Sequence, residues 1–172
     1  ATLHNEDEIN RKDIRIGDAV CIQRAGDVIP QVLYVDKTKR IKDSKKFIFP
    51  KKCPSCGCDV VKEYNSSTKK KDAVTRCPDP YFNCNEILKE KLKHFVSKDA
   101  LNIEGLGKKL IDNFWSQKLI KYPYDIFNLD LGILKKFEGW GDKSINNLEN
   151  SISKSKKISL NKFIFSLGIR HI

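Results

Sequence analysis

Glu104-Gly105-Leu106-Gly107-Lys108-Lys109 recurs as Glu138-Gly139-Trp140-Gly141-Asp142-Lys143, and each copy joins two short amphipathic stretches. Glycine has no Cβ, so a Gly-x-Gly turn between helices lets main-chain N–H groups approach an anion where a side chain would intrude. Two such turns on a basic chain point to a surface that grips nucleic-acid phosphates by its main chain. A small-molecule pocket has no need of the duplication.

Periodicity outward from the turns supports this. Leu88, Leu92, Phe95 and Val96 sit at helical spacing before the first turn; Leu106, Leu110, Ile111, Phe114 and Trp115 follow it. Leu131, Leu134 and Phe137 precede the second copy, and Ile145, Leu148 and Ile152 follow. A last stripe, Leu160, Phe163, Ile164 and Leu167, comes after Ser159, a candidate N-cap. All these stripes are expected to be core. The competing reading is an ordinary helical bundle whose glycines only end helices.

The chain has 172 residues, enough for one large domain or two to three small ones. It is 40% apolar and 32% charged, a globular composition. No apolar run is long enough to span a bilayer, and no signal peptide is expected before residue 1. The lack of any Met reads as a piece of a longer protein. The net charge is +11, spread along the chain: 10 basic against 8 acidic residues over 1–50, 11 against 6 over 51–98, and 12 against 8 over 99–172. A distributed excess fits a long footprint on a polyanion better than one tethering arm, although a general richness in Lys produces the same charge.

Four of the six cysteines form two pairs, Cys53-x2-Cys56 and Cys77-x6-Cys84. The first reads Lys52-Cys53-Pro54-Ser55-Cys56-Gly57, a tight knuckle in which Gly57 takes the strained dihedral. Four thiolates make a closed, tetrahedral, structural zinc site. Val60–Tyr64 and Ala73–Arg76 read as two short strands around a basic loop, residues 65–72, which is a zinc-ribbon plan. So small a unit has almost no core without metal. Disulfides would need an oxidising compartment to which nothing here directs the chain. Cys58 could compete as a ligand; the knuckle spacing favours Cys53 and Cys56. Cys21 reads as a buried thiol. Near the N-terminus, 19–24 and 28–35 are β-rich runs bracketing Ala25-Gly26-Asp27, with Pro30 marking an edge or a bulge. Fifty residues with so little apolar material make an incomplete barrel.

Ala1-Thr2-Leu3-His4-Asn5-Glu6, Ile16-Gly17-Asp18 and the run Gln23-Arg24-Ala25-Gly26-Asp27-Val28-Ile29-Pro30-Gln31-Val32 closely resemble the OB-fold domain of bacterial NAD-dependent DNA ligases. So do Phe49-Pro50-x-x-Cys53-Pro54-x-Cys56-Gly57, Leu92-Lys93-His94-Phe95-Val96-Ser97, the first Gly-x-Gly stretch through Ile111, and Leu167-Gly168-Ile169-Arg170-His171-Ile172. The resemblance implies a multi-domain chain: a partial OB-like β-barrel over 1–50, a small four-cysteine zinc ribbon over 51–86, and an all-α helix-hairpin-helix domain over 87–172, expected to be truncated at its C-terminus. It departs from the family in the longer Cys56–Cys77 gap and in Asn85-Glu86 after the last cysteine.

The resemblance implies a parent enzyme that seals nicks in duplex DNA, using NAD and Mg2+, by adenylylating a lysine, moving AMP to the 5′-phosphate and displacing it with the 3′-hydroxyl. No Lys-x-Asp-Gly motif occurs here, so the expectation is a DNA-clamping fragment with no catalytic or NAD-binding residues, inactive alone. Its implied partner is nicked double-stranded DNA. It would be a cytoplasmic bacterial monomer with no membrane partner. Carried over, Arg24, Val28 and Ile29 face the minor groove, Gly105, Gly107, Gly139 and Gly141 offer N–H groups to phosphates, and Lys108, Lys109 and Lys143 lie close by. Cys53, Cys56, Cys77 and Cys84 hold structural Zn2+. His4, His94 and His171 read as structural or phosphate-adjacent. Two alternatives stay open: a non-enzymatic zinc-ribbon and helix-hairpin-helix repair adaptor, and a protein-interaction scaffold.

Overall fold

A computed structural model describes residues 1–25, 29–65 and 69–169. The chain separates into two compact units, Ala1–Pro78 and Asp79–Ile172.

The first unit opens on α1 (Glu6–Lys12), capped by the Asn5 side chain, which accepts the Asp7 N–H at 3.0 Å. Acidic Glu6, Asp7 and Glu8 fill its first turn, and Arg11 and Lys12 its last, so both ends complement the helix dipole. Only Ile9 is buried, so no apolar stripe announces this helix. Its signal is Asn5 followed three residues later by Glu8, a capping pattern that periodicity misses. β1 (Val20–Ala25) and β2 (Ile29–Val35) form a two-stranded antiparallel sheet with Arg24 opposite Pro30. Pro30 lies on an edge strand, one of the two places expected for it, and the register irregularity falls between Cys21 and Ile22. Gly26 and Asp27 of the expected turn lie outside the described residues. Cys21 is half-buried, not buried, and its thiol pushes the facing Tyr34 hydroxyl up in pKa.

Apolar burial in this part is thin: Ile9, Val32 and Val35, while Ile22, Leu33, Tyr34 and Ile41 stay exposed. An ionic knot holds the segment instead. Arg40 donates to Asp13 Oδ2 at 2.6 Å and to Asp18 Oδ1 and Oδ2 at 2.9 and 2.8 Å, and Arg15 N–H donates to Asp18 Oδ2 at 2.8 Å. The Asp18 side chain is 1% exposed, so its charge depends on Arg40.

Between the cysteine pairs, β3 (Tyr64–Asn65) and β4 (Lys70–Lys71) form a minimal antiparallel ladder. The strands expected over 60–64 and 73–76 shrink to a bridge between Val61 and Arg76, and the ladder runs into the expected loop. Val61 is 39% exposed, and without an apolar layer to lie against, pairing is regular only near the closed end of the hairpin.

The second unit contains α2 (Asn85–Phe95), α3 (Lys108–Ser116), α4 (Asp142–Ser155) and α5 (Leu160–Ser166), with 3-10 helices over Pro123–Asn128 and Leu131–Lys136 between α3 and α4. The predicted stripes converge on one core, with Leu92, Leu106, Ile111, Phe114, Leu134 and Leu148 each at most 2% exposed. Two expectations fail. The stretch before the second Gly-x-Gly is a six-residue 3-10 helix, because Asp130 caps it at Gly132 and Phe137 is already extended. The α5 stripe is not core: Leu160, Phe163 and Leu167 are 72%, 46% and 38% exposed, and Ser166 faces inward. Ser159 starts α5 without a side-chain cap bond.

Phe114→Ala is expected to lower the stability of the second unit by about 3–5 kcal/mol, read by the fluorescence of Trp115 and Trp140, which both belong to it. In the first unit the Arg40 guanidinium holds the Asp13 carboxyl at about 2, below its unfolded value of about 3.9. It also lowers Asp18. Their contribution is therefore full above pH ~4 and disappears as pH falls toward ~2. Arg40→Ala should be less stable at pH 7 and show a flatter loss between those limits, measured by circular dichroism melts across pH.

Candidate nucleic-acid interface and metal centre

The first glycine of each turn is demanded by the backbone. Gly105 has φ +89° and Gly139 φ +83°, the left-handed region in which a Cβ is strained. The second is not. Gly107 has φ −78° and ψ 173°, Gly141 φ −105° and ψ 173°, values open to any residue, and a Cβ on either would meet nothing within 4 Å. Both are N-caps, of α3 and α4, where Ser, Thr, Asp or Asn would bind the first N–H groups. Neither helix receives a side-chain cap bond. The residue type at Gly107 and Gly141 thus leaves the leading amides uncapped and the approach to them clear.

All four glycines are exposed, as are Lys108, Lys109 and Lys143. The residue between each pair faces inward: Leu106 is 2% exposed, and Trp140 packs against the same core. The two turns open onto one groove of about 1000 Å³, lined among others by Gly105, Gly139, Ser144, Asn147, Lys154 and Lys162. Ser151 on its wall accepts the Glu104 N–H at 2.7 Å and ties the first turn to α4. Sequence reasoning missed this wall, although Ser144, Asn147, Ser151 and Lys154 recur on a helical period beside the apolar stripe of α4.

The copies differ in charge. The first turn of α3 carries Lys108 and Lys109, whereas α4 begins with Asp142, whose carboxylate would repel an anion. Lys135 lies 2.7 Å from Asp142 and holds that carboxyl below its usual pKa. Both side chains are largely exposed, so the pair is screened, and the second copy opens on a negative charge that the first lacks. In the first unit, Arg24 and Ile29 are exposed on neighbouring strands; Val28 lies outside the described residues. His94 is structural here: its Nε2 lies 2.8 Å from the Phe165 carbonyl. His171 lies outside the described residues.

The sulfurs of Cys53, Cys56, Cys77 and Cys84 all lie within 4.8 Å of one another, a set that could hold a metal ion. None of the six cysteines is in a disulfide. The knuckle closes as expected, with Gly57 at φ +75° and its N–H donating to the Cys53 carbonyl at 2.9 Å. The Cys58 N–H favours the Cys56 thiolate and lowers its pKa, whereas the neighbouring Cys56 sulfur raises that of Cys58. Asp79 was also missed. Its buried Oδ1 accepts the N–H groups of Asn83 and Cys84 at 2.9 and 2.8 Å and so fixes the backbone of the last cysteine.

Gly105→Ala should destabilise the second unit by about 1–2 kcal/mol, while Gly107→Ala leaves its melting temperature nearly unchanged; thermal melts of the two variants separate the roles. Asp79→Ala should cost about 1–3 kcal/mol, because it strands two inward-facing amides.

Residues 1–44 match the family model of the NAD-dependent DNA ligase OB-fold domain. The whole chain aligns with proteins named DNA ligase. It is 59% identical to one from Pelagibacter ubique over 172 residues, all of this chain and 25% of that protein. It is 50% identical over 176 residues to one from Wolbachia pipientis wMel and 47% over 178 residues to one from Xanthobacter autotrophicus. All of this chain is covered in both, against 26% and 25% of those proteins. The chain therefore spans about a quarter of the length of these curated relatives. Its opening 44 residues are thus similar to the OB-fold domain of the NAD-dependent DNA ligases, and the chain as a whole is similar to a quarter-length segment of proteins named DNA ligase.

Proposed function

We propose that this chain is the region of an NAD-dependent DNA ligase that grips nicked duplex DNA while the parent enzyme seals it. The observation that carries this is the pair of N-cap glycines, Gly107 and Gly141, which neither dihedral strain nor packing requires. They leave the leading amides of α3 and α4 uncapped, and the first glycines of the same turns, Gly105 and Gly139, line a polar groove that also holds Lys154 and Lys162. A ligase must hold a nick in any sequence, so it reads phosphates and shape and ignores base edges. Main-chain amides suit that task because they carry no base-specific pattern. Arg24, Val28 and Ile29 are proposed to face the minor groove, and the second unit acts as a helix-hairpin-helix domain.

The four-cysteine cluster is proposed to hold structural zinc as the organising centre of a zinc ribbon. Thiolates about 2.3 Å from a shared tetrahedral zinc lie about 3.8 Å apart, and Cys56 and Cys77 stand at 3.6 Å. Four thiols form a closed set with no open position for catalysis. The residues described here bind, position and neutralise DNA. The lysine adenylylated from NAD, and the Mg2+ of that step, belong to the rest of the parent enzyme, so the chain alone seals nothing.

Binding of the chain to nicked duplex, measured against salt, should weaken steeply, with a slope of about −0.9 per phosphate neutralised. Gly107→Ser should stabilise α3 by a few tenths of a kcal/mol, about the usual gain of a serine cap, and yet weaken DNA binding at least about fivefold. A flat salt response, or unchanged binding by Gly107→Ser, contradicts the proposal. Gly141→Ser should have the smaller effect, because Asp142 already disfavours that site.

A further inference from the structure

We propose that Cys58 is a reserve ligand of the four-cysteine metal centre, able to take the place of Cys56. This rests on the zinc reading above. The Cys58 sulfur lies 3.2 Å from that of Cys56 and 3.3 Å from that of Cys77, and Cys56 and Cys77 are 3.6 Å apart. Each edge of this triangle is no longer than the roughly 3.8 Å between thiolates on one tetrahedral zinc. All three sulfurs are therefore already within the reach of a common ion. Structural zinc takes four ligands. Cys58 stands outside the quartet whose sulfurs all lie within 4.8 Å of one another, but it touches two of its members, so it is a fifth thiol at the edge of the site and is surplus while Cys56 holds the ion.

The main chain keeps the surplus thiol there. The Cys58 carbonyl accepts the Cys53 N–H at 2.8 Å, and the Gly57 N–H donates to the Cys53 carbonyl at 2.9 Å, so both cysteines belong to one hydrogen-bonded knuckle. Exchange then needs side-chain rotation without rearrangement of the backbone. One zinc–sulfur bond to Cys56 breaks and one to Cys58 forms, and the proton leaving the Cys58 thiol passes to the released Cys56 sulfur. No oxidant or reductant is consumed. The consequence is a centre that keeps its metal when Cys56 is alkylated or oxidised, which a four-cysteine knuckle does not.

The test uses the zinc-loaded 172-residue chain and its Cys56→Ala, Cys58→Ala and double variants. Zinc retention is measured by competition with a chromophoric chelator, and thiolate number by the charge-transfer band after Co2+ substitution. Cys58→Ala should keep one zinc at close to wild-type affinity. Cys56→Ala should keep one zinc, weakened about 10- to 100-fold, the scale of a disturbed coordination shell, and still give a four-thiolate Co2+ spectrum. The double variant should lose the zinc. If Cys56→Ala loses zinc as fully as the double variant, or gives a three-thiolate spectrum, Cys58 is no substitute. If Cys58→Ala alone loses the metal, Cys58 is a permanent ligand and the exchange is wrong. If the wild-type chain holds no zinc, the zinc reading fails first, and this proposal with it.

Discussion

Leu106 is buried while the glycines on either side of it face solvent, and the candidate interface depends on that alternation. An apolar side chain driven into the core fixes the turn as firmly as any hydrogen bond, since withdrawing a leucine from a packed interior costs several kcal/mol, about 2–5 when it is cut back to alanine. With Leu106 anchored, Gly105 must take a left-handed backbone and Gly107 must sit at the head of α3. The Leu106 N–H is taken by the Ile103 carbonyl, whereas the leading amides of α3 receive no side-chain cap. Trp140 plays the same part in the second copy with a larger and less buried side chain.

The two units are stabilised by different physics. The second has a continuous apolar core built from the 3.6-residue stripes, into which both Gly-x-Gly turns are locked. The first buries few apolar side chains and relies on the Arg40–Asp13–Asp18 knot and on the thiols of Cys56, Cys58 and Cys77 gathered at the knuckle. A core responds mainly to cavity-forming substitutions. An ionic knot responds to pH, and a thiol cluster to chelation and to thiol-modifying reagents. The same chain should therefore fail in separate ways under heat, acid and metal removal.

What could be read from the amino-acid sequence tracks how local each signal is. The stripes of α2, α3 and α4 and the turns between them were legible because helical periodicity and glycine pairs are short-range features. α1 escaped because a single buried residue, Ile9, leaves no stripe, although Asn5 and Glu8 carried a capping signal. The α5 stripe misled: periodicity shows that one face is apolar and cannot show that anything lies against it. The polar wall of α4 was present in the sequence as Ser144, Asn147, Ser151 and Lys154, yet a search for apolar faces passes over it. The cysteine quartet was legible from spacing. The closeness of Cys58 to Cys56 and Cys77 was not, since it depends on how the knuckle folds back. Nor was Asp79, whose role appears only once Asn83 and Cys84 point their amides at it.

The most direct measurement is a two-dimensional 15N–1H NMR titration of the chain with a nicked duplex. The amide resonances of Gly107, Lys108 and Lys109 should move first and furthest, with Gly141 and Lys143 following at higher DNA concentration. Turn amides that stay still while other surfaces shift would contradict main-chain phosphate binding by these glycines.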